Sequence, residues 1–65
     1  MYKRIEAQMV LVGMSREELA KATGIPLKSL LAKLNGTQPF SLDDALQVRA
    51  AIHATETMEV LFQRD

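Results

Sequence analysis

The feature that most constrains the fold is a four-residue interruption, "TGIP" at positions 23–26, between two helical segments. Gly24 can adopt a positive φ without steric cost, and Ile25 is disfavoured in the α region because a proline follows it. Pro26 suits the first turn of a new helix, where no amide N–H is needed. The interruption therefore predicts two short helices joined by a tight turn, one over about 16–22 and one from 26 to 34 or 35.

Local signals mark the other ends of this helix pair. Ser15 and Glu18 form a capping-box pattern, in which each side chain accepts a backbone N–H at a helix start. The helix that follows is expected to bury Leu19 and Ala20. Gly36 is the expected left-handed residue that ends the second helix of the pair.

Three further helices are expected around this pair. Apolar residues recur every three or four positions over 2–12, and Gly13 follows them. Ser41 and Asp44 predict the start of a fourth helix, and 58–62 form a short apolar last element. No alternating strand pattern is present, so we expect a compact all-α bundle of about five short helices in a single domain, 1–65. The residues expected to share one apolar stripe of the first helix are Tyr2, Ile5, Met9 and Val12, those able to face inward in the fourth are Leu42, Ala45, Leu46, Val48 and Ile52, and the apolar residues of the last element are Met58, Val60, Leu61 and Phe62.

Composition narrows the function classes. With no cysteine and one histidine, His53, the 65-residue chain has little from which to build a metal site or a general base, so we expect no enzyme, cofactor or small-molecule substrate. The longest apolar run, 9–12, is far shorter than the roughly 20 residues of a membrane span, and no leader pattern opens the chain. We therefore expect a cytoplasmic protein without a membrane partner.

Charge is distributed unevenly although the formal net charge is zero. Residues 1–37 contain six Lys or Arg and three Asp or Glu, a net charge of +3, whereas 38–65 contain two and five, a net charge of −3. The basic half contains the helix pair, which favours a nucleic-acid partner. A scatter of solvated charges would give the same split, and the neutral total does not favour DNA binding.

The run "GMSREELAKATGIPLKSLLAKLNGTQPFSLDDALQVRAAI", 13–52, resembles the Cro/C1-type (XRE-like) helix-turn-helix regulators, especially small phage repressors and Cro-like proteins. Ala20 matches the small residue at the helix contact, Gly24 the glycine of the turn, and Leu30 the apolar anchor of the second helix. The final "MEVLF" lies where that family has its last helix. The resemblance implies a lambda-repressor-like bundle with a central helix-turn-helix.

Three positions depart from the family pattern. Thr23 stands where a larger aliphatic residue is common. Lys33 stands where an apolar residue packs, a role that Leu34 would take one place later. Arg49 stands where the family has a small buried residue, and a snorkelling side chain would accommodate it.

The resemblance also implies a function, namely operator binding with the third helix in the major groove of double-stranded DNA. Lys28 would donate to guanine, and Leu27 or Ala32 would contact a thymine methyl group. The exposed face is poor in Gln, Asn and Arg, so we expect weak direct readout. The implied base-facing residues are Pro26, Leu27, Lys28, Ser29, Ala32 and Lys33, with Leu31 as an alternative to Lys33, and the implied phosphate contacts are Ser15, Arg16, Asn35 and Thr37.

The sequence leaves open which partners two apolar surfaces contact. The apolar segment near Met58, Leu61 and Phe62 would either pack on the first helix or form a homodimer. Leu27 and Leu31 would suit a protein partner as well as DNA, which predicts, as the alternative, a protein-interaction module such as a phage protein that binds a host factor or another repressor. "EVLFQ" also resembles a viral protease recognition site used to remove tags, although a native last helix fits it better.

Overall fold

Five α-helices and no β-strand make up the part of the chain that the computed structural model describes, residues 2–64. The predicted all-α bundle is therefore confirmed, and its extents are 24 × 23 × 19 Å. None of the described helices is long and apolar enough to span a bilayer. The helices are α1, Lys3–Val12; α2, Arg16–Thr23; α3, Leu27–Leu34; α4, Leu42–Ala51; and α5, Met58–Leu61.

Hydroxyl side chains cap three of the helices. Ser15 Oγ accepts the Glu18 N–H at 3.1 Å, and the Ser15 N–H donates to Glu18 Oε1 at 2.9 Å, which completes the predicted capping box. Ser41 Oγ accepts the Asp44 N–H at 3.0 Å at the start of α4. Thr57 Oγ1 accepts an N–H in the same way at the start of α5. The predicted starts of α2 and α4 are thus confirmed, because local side chains satisfy backbone groups there.

Each helix contributes at least one fully buried side chain to a single core. α2 packs against both α3 and α4, and α5 packs against α4. Fully burying a Leu or Ile side chain stabilises the fold by about 1.5–3 kcal/mol. This packing fixes which side of α3 faces inward. The largest fully buried residues are Ile5, Leu19, Leu30, Val48, Ile52 and Leu61.

The inward face predicted for α4 was partly wrong. Ala45, Val48 and Ile52 are buried, but Leu42 is 73% exposed and Leu46 is 48% exposed. At about 100° per residue, the buried three share one face, and the two leucines lie roughly 90° and 130° away from its centre. The last residue of the apolar stripe on α1 is also not buried, since Val12 is 37% exposed.

An aromatic cluster joins the two ends of the described chain. The rings of Tyr2 and Phe40 lie 5.4 Å apart, those of Tyr2 and Phe62 6.0 Å, and those of Phe40 and Phe62 5.1 Å, all edge to face. Leu61 beside them is fully buried. The last apolar segment therefore packs on the chain's own core, which fits a native last helix. A homodimer through this segment stays a prediction.

Arg49 does not snorkel to solvent along its helix. Its Nε donates to the Glu56 carbonyl at 2.7 Å, and the residue is half-buried. The guanidinium thereby ties the end of α4 to the segment before α5. His53, in the turn between them, has φ 56 and is the positive-φ residue other than glycine among the described positions.

Candidate nucleic-acid interface

The turn between α2 and α3 is held by backbone conformation and one side chain. Gly24 has φ 76, and its N–H donates to the Ala20 carbonyl at 2.9 Å. Thr23 Oγ1 donates to the Leu19 carbonyl at 2.8 Å and accepts the Ile25 N–H at 3.3 Å. These contacts explain why a threonine occupies a position where the resemblance predicts a larger aliphatic residue. The turn then fixes the direction in which α3 leaves α2.

α3 has one buried side and one accessible side. Leu30 is fully buried and Leu34 is 6% exposed, so the anchoring role expected of Leu34 is confirmed. At the start of α3, Leu27 is 38% exposed and Lys28 is exposed, and Ala32 farther along the helix is half-buried. The accessible side therefore comprises Pro26, Leu27 and Lys28, with the half-buried Ser29, Leu31 and Ala32.

Lys33 does not belong to this accessible side. Its Nζ donates to Asp44 Oδ2 at 2.7 Å, and the two side chains are only 16% and 27% exposed. The prediction that Lys33 faces bases is corrected, because its ammonium group points to α4 and is neutralised there. The ion pair links α3 to the first turn of α4.

At the start of α2, Ser15 and Arg16 are both exposed. The Ser15 amide and one lone pair of its oxygen are used in the capping box, so its hydroxyl hydrogen is the donor left for a phosphate. Arg16 Nη2 forms an ion pair with Glu6 of α1. A phosphate would therefore compete with Glu6 for the Arg16 charge.

The segment after α3 places Asn35 and Thr37 differently from each other. Asn35 is exposed, and its side-chain amide makes no hydrogen bond to any residue in 2–64. Thr37 is exposed too, but its N–H and its Oγ1 both donate to the Ala32 carbonyl, each at 3.0 Å. The prediction of Thr37 as a phosphate donor is corrected, since both of its donors close the end of α3. Gly36 between them has φ 84, as predicted.

Arg64 contacts this segment, which no sequence pattern predicts. Its Nη2 donates to the Gly36 carbonyl at 3.2 Å, and the residue is exposed. The two residues are 28 positions apart, so neither a motif nor a period could have indicated the contact. The structure thus adds a cation at Gly36, the residue after Asn35, that the sequence did not indicate.

Hydrogen-bonding partners lower the pKa of two carboxyl groups at helix starts. Hydrogen bonds from Ser15, chiefly from its backbone N–H, lower the pKa of Glu18. The hydrogen bond from Lys33, ahead of that from Ser41, lowers the pKa of Asp44 below its ordinary value. Both groups are therefore ionised at neutral pH, and each stabilises the start of its helix.

Apolar surface is also exposed away from α3. Val10 and Leu11 at the end of α1 are 81% and 78% exposed, and Leu42 and Leu46 are exposed on α4. An open cleft of about 460 Å³ lies beside the start of α3, and Ile25 and Leu27 line it. No three His, Asp or Glu side chains in 2–64 are placed to hold a metal ion.

Comparison with protein-family models, with curated proteins and with solved structures found no match to this chain.

Proposed function

We propose that this protein is a sequence-specific DNA-binding transcriptional regulator of the Cro/C1 helix-turn-helix type. The proposal rests on the accessible start of α3, where Lys28 is exposed and Leu27 is 38% exposed. The resemblance of 13–52 to that family supports it. A phage origin and a bacterial cytoplasm follow from the same resemblance.

The dimensions of α3 suit a major groove. An α-helix with its side chains is about 10–12 Å in diameter, which a major groove about 12 Å wide admits, and the 8 residues of α3 make about two turns. Leu30 and Leu34 anchor the opposite side, so the helix can approach DNA without losing its packing. Lys28 would donate to guanine O6 and N7, while Leu27 would contact a thymine methyl group.

Regulation would consist of occupying an operator and excluding a polymerase or a competing protein. Most of the binding free energy would come from phosphates, because a single cation, Lys28, remains on the base-facing side once Lys33 is paired with Asp44. Lys21 of α2 also has no ion pair among the described residues and adds to the positive field. Specificity would then depend on DNA shape as much as on base contacts.

A salt titration of duplex binding tests this function. The expected affinity falls with salt with a log–log slope of about −2 or steeper, as two or more phosphate contacts require. Arg16→Ala should weaken binding to all sequences alike, whereas Lys28→Ala should change the preference between sequences by about 1–3 kcal/mol. Absence of duplex binding at low salt would reject the proposal, and equal effects of both variants on every sequence would reject the assignment of roles.

A protein-interaction module is the second candidate, and the exposed apolar residues favour it. Leu27 lies at the mouth of an apolar cleft, and Leu42 on α4 is more exposed still. Binding to a protein through these residues would depend weakly on salt. The heat-capacity change on binding would be negative, because apolar surface would be buried. Absence of duplex binding even at low salt would favour this second candidate over the regulator.

A further inference from the structure

The segment that follows α3 needs a cation if it is to hold a phosphate. Asn35 is neutral, and it stands at the C-terminal end of a helix, where unpaired carbonyl groups carry partial negative charge. An anion placed there is repelled by the helix rather than attracted. Asn35 alone therefore makes a poor phosphate site.

Lys33 cannot supply that charge. It is the basic residue in the last turn of α3, but its ammonium group is held by Asp44 at 2.7 Å in a mostly buried ion pair. Thr37 cannot supply a donor either, since its amide and hydroxyl both donate to Ala32. The charge has to come from another part of the chain.

Arg64 lies where this charge is required. One of its five guanidinium N–H groups donates to the Gly36 carbonyl, the residue directly after Asn35. Within 2–64 the guanidinium forms no ion pair, so its charge and its remaining N–H groups stay available. Arginine is suited to phosphate because its planar N–H groups can bind two oxygens at once.

The fold holds Arg64 at this position through its neighbours. Phe62 packs edge to face on Phe40, which follows the α3–α4 loop, and this contact fixes the path of the chain two residues before Arg64. Arg64, Gly36 and the loop line one cleft of about 460 Å³. The placement of the guanidinium thus depends on the aromatic cluster and not on a chance surface contact alone.

We propose that Arg64 and Asn35 together form a binding site for a backbone phosphate of DNA. Arg64 supplies the charge and two N–H donors, Asn35 supplies a neutral amide donor, and Thr37 closes the end of α3 through its bonds to Ala32. The site rests on the proposed function, and it extends the interface from α3 to the C-terminal end of the chain.

The test compares Arg64→Gln, which keeps an amide donor for the Gly36 carbonyl but no charge, with Arg64→Lys, which keeps the charge. Arg4→Gln is the matched control, because it removes one positive charge from α1 but keeps an amide donor for Gln63, to which Arg4 Nη1 donates at 3.0 Å. Duplex affinity is measured between about 50 and 200 mM salt. Thermal unfolding of each variant verifies that it is folded.

Arg64→Gln should weaken binding to all sequences alike by roughly five- to tenfold and make the salt slope shallower by about 0.9, the contribution of one phosphate. Arg64→Lys and Arg4→Gln should keep the slope of the unaltered protein. If Arg64→Gln keeps the full affinity and slope, or if Arg4→Gln changes them equally, the phosphate site is wrong while the regulator function stands. Failure of the unaltered protein to bind duplex DNA would overturn both.

Discussion

At the scale of single residues, backbone conformation decides the turn that presents α3. A Cβ added at Gly24 would meet no atom within 4 Å, so space does not require glycine there. The requirement comes from its φ of 76, which is costly for residues with a side chain. His53 is the opposite case, a residue with a side chain held at φ 56.

These two positions predict opposite stability changes. Gly24→Ala should lower the free energy of unfolding by about 1 kcal/mol, because alanine pays the left-handed backbone cost without any clash. His53→Gly should raise it by up to about 1 kcal/mol, because the same cost is removed. Urea unfolding of both variants measures the changes. Two changes of the same sign would contradict the backbone explanation.

At this scale, the sequence predicts contacts between residues that are close along the chain and misses contacts between residues that are far apart. The Ser15 capping box and Gly36 were confirmed because each acts on groups within a few residues of itself. The partners of Arg16, Lys33 and Arg64 lie 10, 11 and 28 positions away, and all join different elements. Such contacts depend on how the helices pack, so the sequence alone could not assign them.

At the scale of elements, the ion pair between Lys33 and Asp44 fixes α3 against α4. It took Lys33 out of the base-facing set that the resemblance implied. It also explains how a lysine is accommodated where the family packs an apolar residue, since Leu34 fills the core beside it. The α4 prediction was partly wrong for a related reason: five apolar residues cover more than one face, and only packing selects which face is buried.

This ion pair predicts a pH-dependent stability. Lys33 lowers the pKa of Asp44 in the folded state, so the contribution is present above the unfolded pKa of about 4 and is lost as the pH falls through the folded value. Asp44→Asn should therefore cost about 0.5 kcal/mol at pH 7, a modest value because the pair is partly exposed, and less near pH 2.

Asp43→Asn is the control for this prediction, because Asp43 is exposed in the same helix turn and forms no ion pair within 2–64. Urea unfolding at both pH values measures the difference between each variant and the unaltered protein. A cost of Asp44→Asn that stays constant or grows as the pH falls would show that the pair does not stabilise the fold.

At the scale of the whole molecule, the small bundle exposes more than one surface suited to binding a partner. The start of α3 carries Lys28 among accessible apolar atoms, while α1 and α4 expose Val10, Leu11 and Leu42. The sequence predicted the basic character of the first half, but the structure pairs Arg16 and Lys33 with acidic residues of other helices. The function of the protein depends on which of these surfaces a partner contacts.

Mapping amide chemical shifts in a titration with duplex DNA tests that dependence most directly. If α3 enters the major groove, the largest shifts fall on the start of α3, at Leu27 and Lys28, with further shifts at Ser15, Asn35 and Arg64. Shifts confined to Val10, Leu11, Leu42 and Leu46, or no shifts at low salt, would contradict the claim that α3 enters the major groove.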